Sequence, residues 1–171
     1  MNIKYTNIIL VTFSCISLVS CNVIGSNKNA RIETVIKNVK ISSSLRSYEQ
    51  CISDGKSFDN LASTQKEKAD SLYNKSAKIL SDCDFLIKDN SYIITEDQRM
   101  RNAALSIQNY IKAGNLIQAT INLKNFQNTF NKDLIYKDGS SFIENIASLL
   151  RYNDPNIFSE FSLINNSNIV K

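Results

Sequence analysis

Apolar residues recur three and four positions apart along most of this chain, and that spacing restricts its fold more than any other feature. Ile32, Val35, Ile36 and Val39 form the first such run. The spacing matches the 3.6-residue turn of an α-helix with one apolar face. Four Gly and one Pro among 171 residues leave few tight turns, which disfavours an all-β fold. The pattern predicts an all-α, single-domain bundle of about five to six helices.

The first two predicted helices flank residues 54–63. The first starts near Arg31 and continues through Leu45, Tyr48 and Ile52. We expect it to end at Asp54-Gly55, because a glycine readily takes the left-handed conformation that follows many helices. The second helix is predicted to follow a capping box at residues 64–67. Its inward positions are Ala69, Leu72, Ser76, Ile79, Cys83 and Leu86.

Start and stop signals also delimit the later helices. Capping boxes at residues 95–98 and 141–144 predict two helix starts, and Asn115 is expected to cap a third. Pro155 suits the first position of a short last helix. The pair of helices that meets at Gly114 resembles one tetratricopeptide unit at Tyr110, Gly114, Ala119 and Leu123. The pattern does not recur one 34-residue period away, so we expect a generic helical hairpin.

Residues 1–20 have the organisation of a secretory signal peptide. A short polar stretch with Lys4 precedes an apolar segment at residues 8–19 and a small residue, Ser20. A helix that crosses a membrane needs roughly 20 apolar residues, so a removable signal is favoured over a permanent anchor. An ordinary cleaved signal and an uncleaved anchor stay open as alternatives.

The end of this segment, Leu18-Val19-Ser20-Cys21, resembles the lipobox of bacterial lipoproteins. The resemblance implies that Cys21 is acylated and becomes the first residue of the mature protein. It also implies an outer-membrane location facing the periplasm, because Asn22 stands where an Asp would favour inner-membrane retention. Two or three acyl chains hold a protein durably at a membrane. We expect a signal at residues 1–20, a flexible tether at 21–30 and a helical domain at 31–171.

Two cysteines remain in the mature domain once Cys15 leaves with the signal and Cys21 carries lipid. An oxidising compartment favours a disulfide between Cys51 and Cys83, although two separate buried thiols are the alternative. A helix that ends at Gly55 makes this pairing difficult, because Cys83 would lie nearly 30 Å of helix beyond Thr64. Either residues 53–63 run back along the first helix, or the second helix bends.

The residue types restrict the possible chemistry. The chain has no His, which excludes the Ser-His and Cys-His arrangements and the usual zinc hydrolase sites. We therefore predict no catalytic, cofactor-binding or metal-binding residues. The remaining candidates are the acidic pairs Glu96 with Asp97, expected to favour a helix dipole, and Asp82 with Asp84, expected to be solvated. The phenylalanines of the second half are expected to form the core, or alternatively to line a groove: Phe126, Phe130, Phe142, Phe158 and Phe161.

These features favour a membrane-tethered envelope lipoprotein over an enzyme. The mature chain carries 19 basic and 16 acidic residues once Lys4 is removed, which does not suggest nucleic acid. We expect a protein partner in the cell envelope and a role in assembly, targeting, or immunity or exclusion. The layout resembles the small helical pilotin lipoproteins in outline. The alternative is a helical envelope hydrolase that uses two carboxylates about 5 to 10 Å apart.

Overall fold

A computed structural model describes the backbone of residues 24–152 and the side chains of residues 31–151. Cys21, Phe158, Phe161 and the helix expected at Pro155 lie outside the described residues. The all-α prediction is confirmed, because pairing of the β type in the described part is limited to one isolated bridge between Ile135 and Ser141. The α-helices are α1 (Ile24–Thr64), α2 (Ala69–Asp82), α3 (Glu96–Lys112), α4 (Leu116–Thr129) and α5 (Phe142–Tyr152).

The chain divides into two compact units, Met1–Asn38 and Val39–Lys171. The described residues of the first unit all belong to α1, which begins at Ile24, inside the stretch expected to be a tether. Ile32, Val35 and Ile36 are exposed on this helix. The second unit contains α2 to α5, two clusters of buried side chains and the disulfide.

Gly55 lies inside α1, so the prediction that the first helix ends at Asp54-Gly55 is wrong. A Cβ atom placed on Gly55 would lie 2.6 Å from Cγ of Leu80 in α2. The hydroxyl of Ser76 also donates a hydrogen bond of 2.7 Å to the Gly55 carbonyl. The glycine is used for the close approach of two helices and not for a left-handed turn.

The length of α1 also explains how the disulfide forms. Cys51 and Cys83 are bonded, with 5.7 Å between their Cα atoms, which confirms the predicted pair. Residues 53–63 continue α1 to Thr64, and α2 then returns beside it. Neither a bend in the second helix nor a reversal at Gly55 is needed, because the turn lies about ten residues later than expected.

The expected capping box at residues 64–67 does not form. Thr64 is the last residue of α1, and its hydroxyl donates 3.0 Å back to the Leu61 carbonyl. A 3-10 turn at Lys66–Lys68 follows. Side chains such as that of Thr64 can bond to the backbone at either end of a helix. The capping-box pattern at residues 64–67 therefore predicted a helix start at the point where α1 ends.

The inward pattern of α2 changes after Asp82, where a 3-10 segment (Cys83–Ile93) begins. Ile87 is buried, whereas Leu86 is 45% exposed, so the prediction that Leu86 points inward is wrong. Positions three and four after Cys83 are both compatible with the helical period. Ile87, the fourth residue after Cys83, is the one that is buried.

The other predicted caps are confirmed. Backbone N–H groups donate to the side chains of Thr95, Asn115 and Ser141 at distances of 2.9 to 3.3 Å. Gly114 has a φ of +69°, which a residue with a Cβ rarely adopts. α3 and α4 therefore form the predicted hairpin. The main core lies between α2, α3, α4 and α5, and its large members include Met100, Ile107, Ile111, Leu123, Phe126, Phe142 and Ile146.

Candidate binding groove

A groove follows the outer side of α3, the helix that packs against both α2 and α4. Ala103, Ser106 and Tyr110 lie three and four positions apart, so they share one face of α3. All three line the groove. Ala103 and Ser106 are small, which leaves space between the flanking helices, and buried Tyr110 forms the base at one end.

One wall of the groove consists of side-chain amides from α4. Gln118, Asn122 and Asn125 are separated by four and three positions, so they form one stripe along the helix. Ile121 lies beside them and is 47% exposed. The Nδ2 group of Asn122 donates 2.9 Å to the Gln118 backbone carbonyl, which fixes its orientation and leaves its oxygen as an acceptor.

The opposite wall belongs to α2. Asn74, Lys78, Ser81 and Asp82 line it, so the wall carries one charge of each sign. At the end nearest the α3–α4 turn, Nδ2 of Asn115 donates 2.9 Å to Oδ1 of Asn74. That bond joins the two walls. The wide part of the groove between them has a volume of about 490 Å³.

The groove narrows towards the start of α3. Ser81, Asn122 and Asn125 line both the wide part and a narrow cleft of about 120 Å³, so the two are continuous. Arg99 closes the cleft with hydrogen bonds of 2.7 and 3.0 Å to Asp84. Its hydrogen bond to Asp84 raises the pKa of Arg99, and the pair is a fixed charged boundary.

This arrangement suits a polypeptide ligand. A side-chain amide both donates and accepts hydrogen bonds, as the peptide backbone does. A row of amides can therefore form hydrogen bonds with the backbone of an extended polypeptide segment, and this pairing does not depend on pH. Ile121 and the 74% exposed Ile117 provide apolar contact beside the row. Recognition of this kind combines main-chain hydrogen bonds with side-chain pockets.

A second depression is larger but has a different construction. It has a volume of about 750 Å³ and is lined by residues of α1 between Tyr48 and Thr64 together with Gln98. Nine of its ten lining residues come from α1, and Gln98 of α3 is the tenth. Binding sites usually place a few convergent polar groups on several elements, so the groove over α3 is the better candidate.

The acidic residues singled out from the sequence occupy separate positions. Glu96 and Asp97 are exposed in the first turn of α3, and Glu96 lies 3.4 Å from Nζ of Lys132. Asp82 is exposed on the groove wall, as expected. The expectation of a solvated side chain is wrong for Asp84, which is half-buried because it is paired with Arg99. No group of three or more His, Cys, Asp or Glu residues in the described part is placed to hold a metal ion.

Of the phenylalanines expected in the core, the three that lie within the described residues are buried there. The ring centroids of Phe126 and Phe130 are 5.0 Å apart, and those of Phe126 and Phe142 are 5.4 Å apart. All three side chains are at least 95% buried, so packing is their main role. Phe126 and Phe130 also line the narrow cleft, whereas the wide part of the groove is lined by amides at five of its ten positions. The amide spacing at 118, 122 and 125 was present in the sequence, but a polar stripe on a helix is normally read as a solvated face.

Among the described residues, none of the helices has the length and apolar character needed to cross a membrane. No protein-family model matches this chain, and neither a curated protein nor a solved structure matches it.

Proposed function

We propose that this protein is a bacterial envelope lipoprotein, anchored through Cys21, that acts without catalysis by holding a segment of a partner protein. The observation that carries the proposal is the groove over α3, with amides on α4 and mixed charges on α2. Its biological role is the assembly or targeting of an envelope complex, or binding of an incoming protein for immunity or exclusion.

The groove is rigid enough to act as a preformed site. Ser106 in its base donates 2.8 Å to the Ala77 carbonyl of α2, and Asn115 joins Asn74 across the end. These bonds fix the separation of the walls before a ligand arrives. A preformed site loses less conformational entropy on binding.

The proposed lipid anchor complements such a site. Membrane attachment confines the groove to a thin layer, so a partner in that layer meets it at a high effective concentration. A moderate intrinsic affinity is then sufficient. The net charge of about +3 on the mature chain is compatible with an acidic protein partner.

A photo-crosslinker at Ile121 tests the groove directly. The cross-linking amino acid replaces Ile121 in the full-length protein in its native cells, and the matched control replaces Gln127, exposed on the same helix about 120° away. We expect one envelope protein to be cross-linked from Ile121 and not from Gln127. Asn125→Ala should weaken that cross-link severalfold, and Gln127→Ala should leave it unchanged.

Two results would contradict the proposal. Equal cross-linking from Ile121 and Gln127 would show that the groove is not the contact surface. A specific cross-link that persists in Asn125→Ala and in Asn122→Ala would show that the amide stripe does not recognise the partner.

A further inference from the structure

An exposed apolar surface lies near the start of α1, far along the sequence from the residues of the groove. Ile32, Val35, Ile36 and Val39, here called the apolar stripe, are each between 56% and 63% exposed. At 100° per residue they fall within about 100° of arc on one side of the helix. Four exposed branched apolar residues on one face are unfavourable in water and indicate a surface that is normally covered.

Basic residues flank the stripe on both sides. Arg31 and Lys40 each lie about 40° beyond one edge of the stripe, whereas Lys37 lies about 100° beyond an edge, on the opposite face of the helix. All three are exposed, and Glu33 is the one acid among residues 31–40. A narrow apolar face between cations is the pattern of a helix that lies in the interface of an anionic membrane.

A second copy of the chain fits this surface poorly. The stripe extends over residues 32–39, about two turns, whereas a coiled coil needs apolar positions over three or four heptads. Pairing two stripes would also place Arg31 and Lys40 of one copy beside the same cations of the other. Like charges at those flanking positions oppose association.

We infer that the apolar stripe inserts into the headgroup region of an anionic lipid bilayer while Arg31 and Lys40 contact lipid phosphates. This inference rests on the proposed function, because acylated Cys21, eleven residues before Ile32, would hold the stripe at the bilayer. Contact between stripe and lipid would fix the start of α1 at the surface, so the anchor would not be a free tether.

Fluorescence from an environment-sensitive probe tests the inference on the lipidated protein. The probe is attached to Val35→Cys or, as the control, to Asn38→Cys, which is exposed and lies about 60° outside the stripe. Each protein is reconstituted in vesicles of phosphatidylcholine with or without one third phosphatidylglycerol. We expect a severalfold higher emission from Val35→Cys in anionic vesicles, with quenching by spin-labelled lipid, and little change from Asn38→Cys.

Substitutions test the two parts of the surface. Ile36→Asp should abolish the emission change at Val35→Cys, whereas Asn38→Asp, which adds the same charge, should reduce it only slightly. Lys40→Gln should weaken binding of the stripe to anionic vesicles about fivefold. Raising the salt concentration should also weaken it, because exposed charges are screened.

The outcomes separate this inference from the proposed anchor. The protein without an introduced cysteine serves as the control for the anchor. Reaction of its Cys21 thiol with the probe, or its failure to float with vesicles, would show that Cys21 carries no lipid anchor. Floating protein with no response at Val35→Cys would refute lipid contact while leaving the anchor intact. A response that needs no vesicles and grows with protein concentration would show that a second copy covers the stripe, and would also overturn the inference.

Discussion

The replacement Gly55→Ala tests the packing of α1 against α2. In the interior of a helix, alanine is more stable than glycine by about 0.5–1 kcal/mol. Here the new Cβ would lie 2.6 and 2.7 Å from two carbons of Leu80, whose side chain is 97% buried and has little room to move. Overpacking of this kind costs about 1–3 kcal/mol, so after the helix gain is subtracted we expect the unfolding free energy to fall by up to about 2.5 kcal/mol.

In a protein that also carries Leu80→Ala, Gly55→Ala should raise the unfolding free energy instead of lowering it. Leu80→Ala alone should cost about 2–5 kcal/mol, but it removes the atoms that the new Cβ meets. Gly55→Ala should then stabilise the Leu80→Ala protein by about 0.5–1 kcal/mol. Urea unfolding followed by far-UV circular dichroism, with the disulfide intact, measures all four proteins. If Gly55→Ala stabilised the protein equally with Leu80 present and with Leu80→Ala, the close contact between residues 55 and 80 would be refuted. The explanation that α1 continues through Gly55 because of that contact would then be wrong.

Three further predictions concern the same domain. Replacing Cys51 and Cys83 by alanine should lower the unfolding free energy by about 3–4 kcal/mol, since the bridge closes a loop of 32 residues; an unchanged urea midpoint would contradict this. Ser76→Ala should cost about 1–3 kcal/mol, because buried Ser76 bonds two groups, whereas exposed Ser71→Ala should change stability by less than about 0.5 kcal/mol. Burial lowers the pKa of Lys112 below 10.5 despite Asp59 nearby, so the unfolded chain holds this proton to higher pH, and stability should rise as pH approaches 10.5 from below. Lys112→Met should remove that rise from the pH dependence of the urea midpoint.

The helices that the sequence predicted well are those with local end signals. α3, α4 and α5 each start at a cap whose side chain accepts from a nearby N–H, and their apolar faces are buried as expected. Capping depends on residues within one turn, so no knowledge of distant contacts is needed. The disulfide was also predictable, because Cys51 and Cys83 are the pair left if Cys15 is removed with the expected signal and Cys21 carries the expected lipid.

The errors arise where a distant contact decides the local structure. Gly55 continues a helix because Leu80 and Ser76 pack against it, and no feature of residues 50–60 indicates that neighbour. The groove was missed for a similar reason. Gln118, Asn122 and Asn125 look like a solvated helix face until α2 is placed opposite them. Sequence periodicity describes one helix, whereas a site requires knowledge of which helices meet.

We propose that this domain works while it is tethered to a membrane through Cys21. Intact-mass and N-terminal peptide mass spectrometry of the protein, isolated from membranes of its native host, tests it most directly. The account predicts a mature chain that begins at Cys21 and carries a diacylglyceryl group on the thiol and an acyl group on the amine. An unmodified Cys21, or cleavage at another residue with the protein recovered in the soluble fraction, would contradict it.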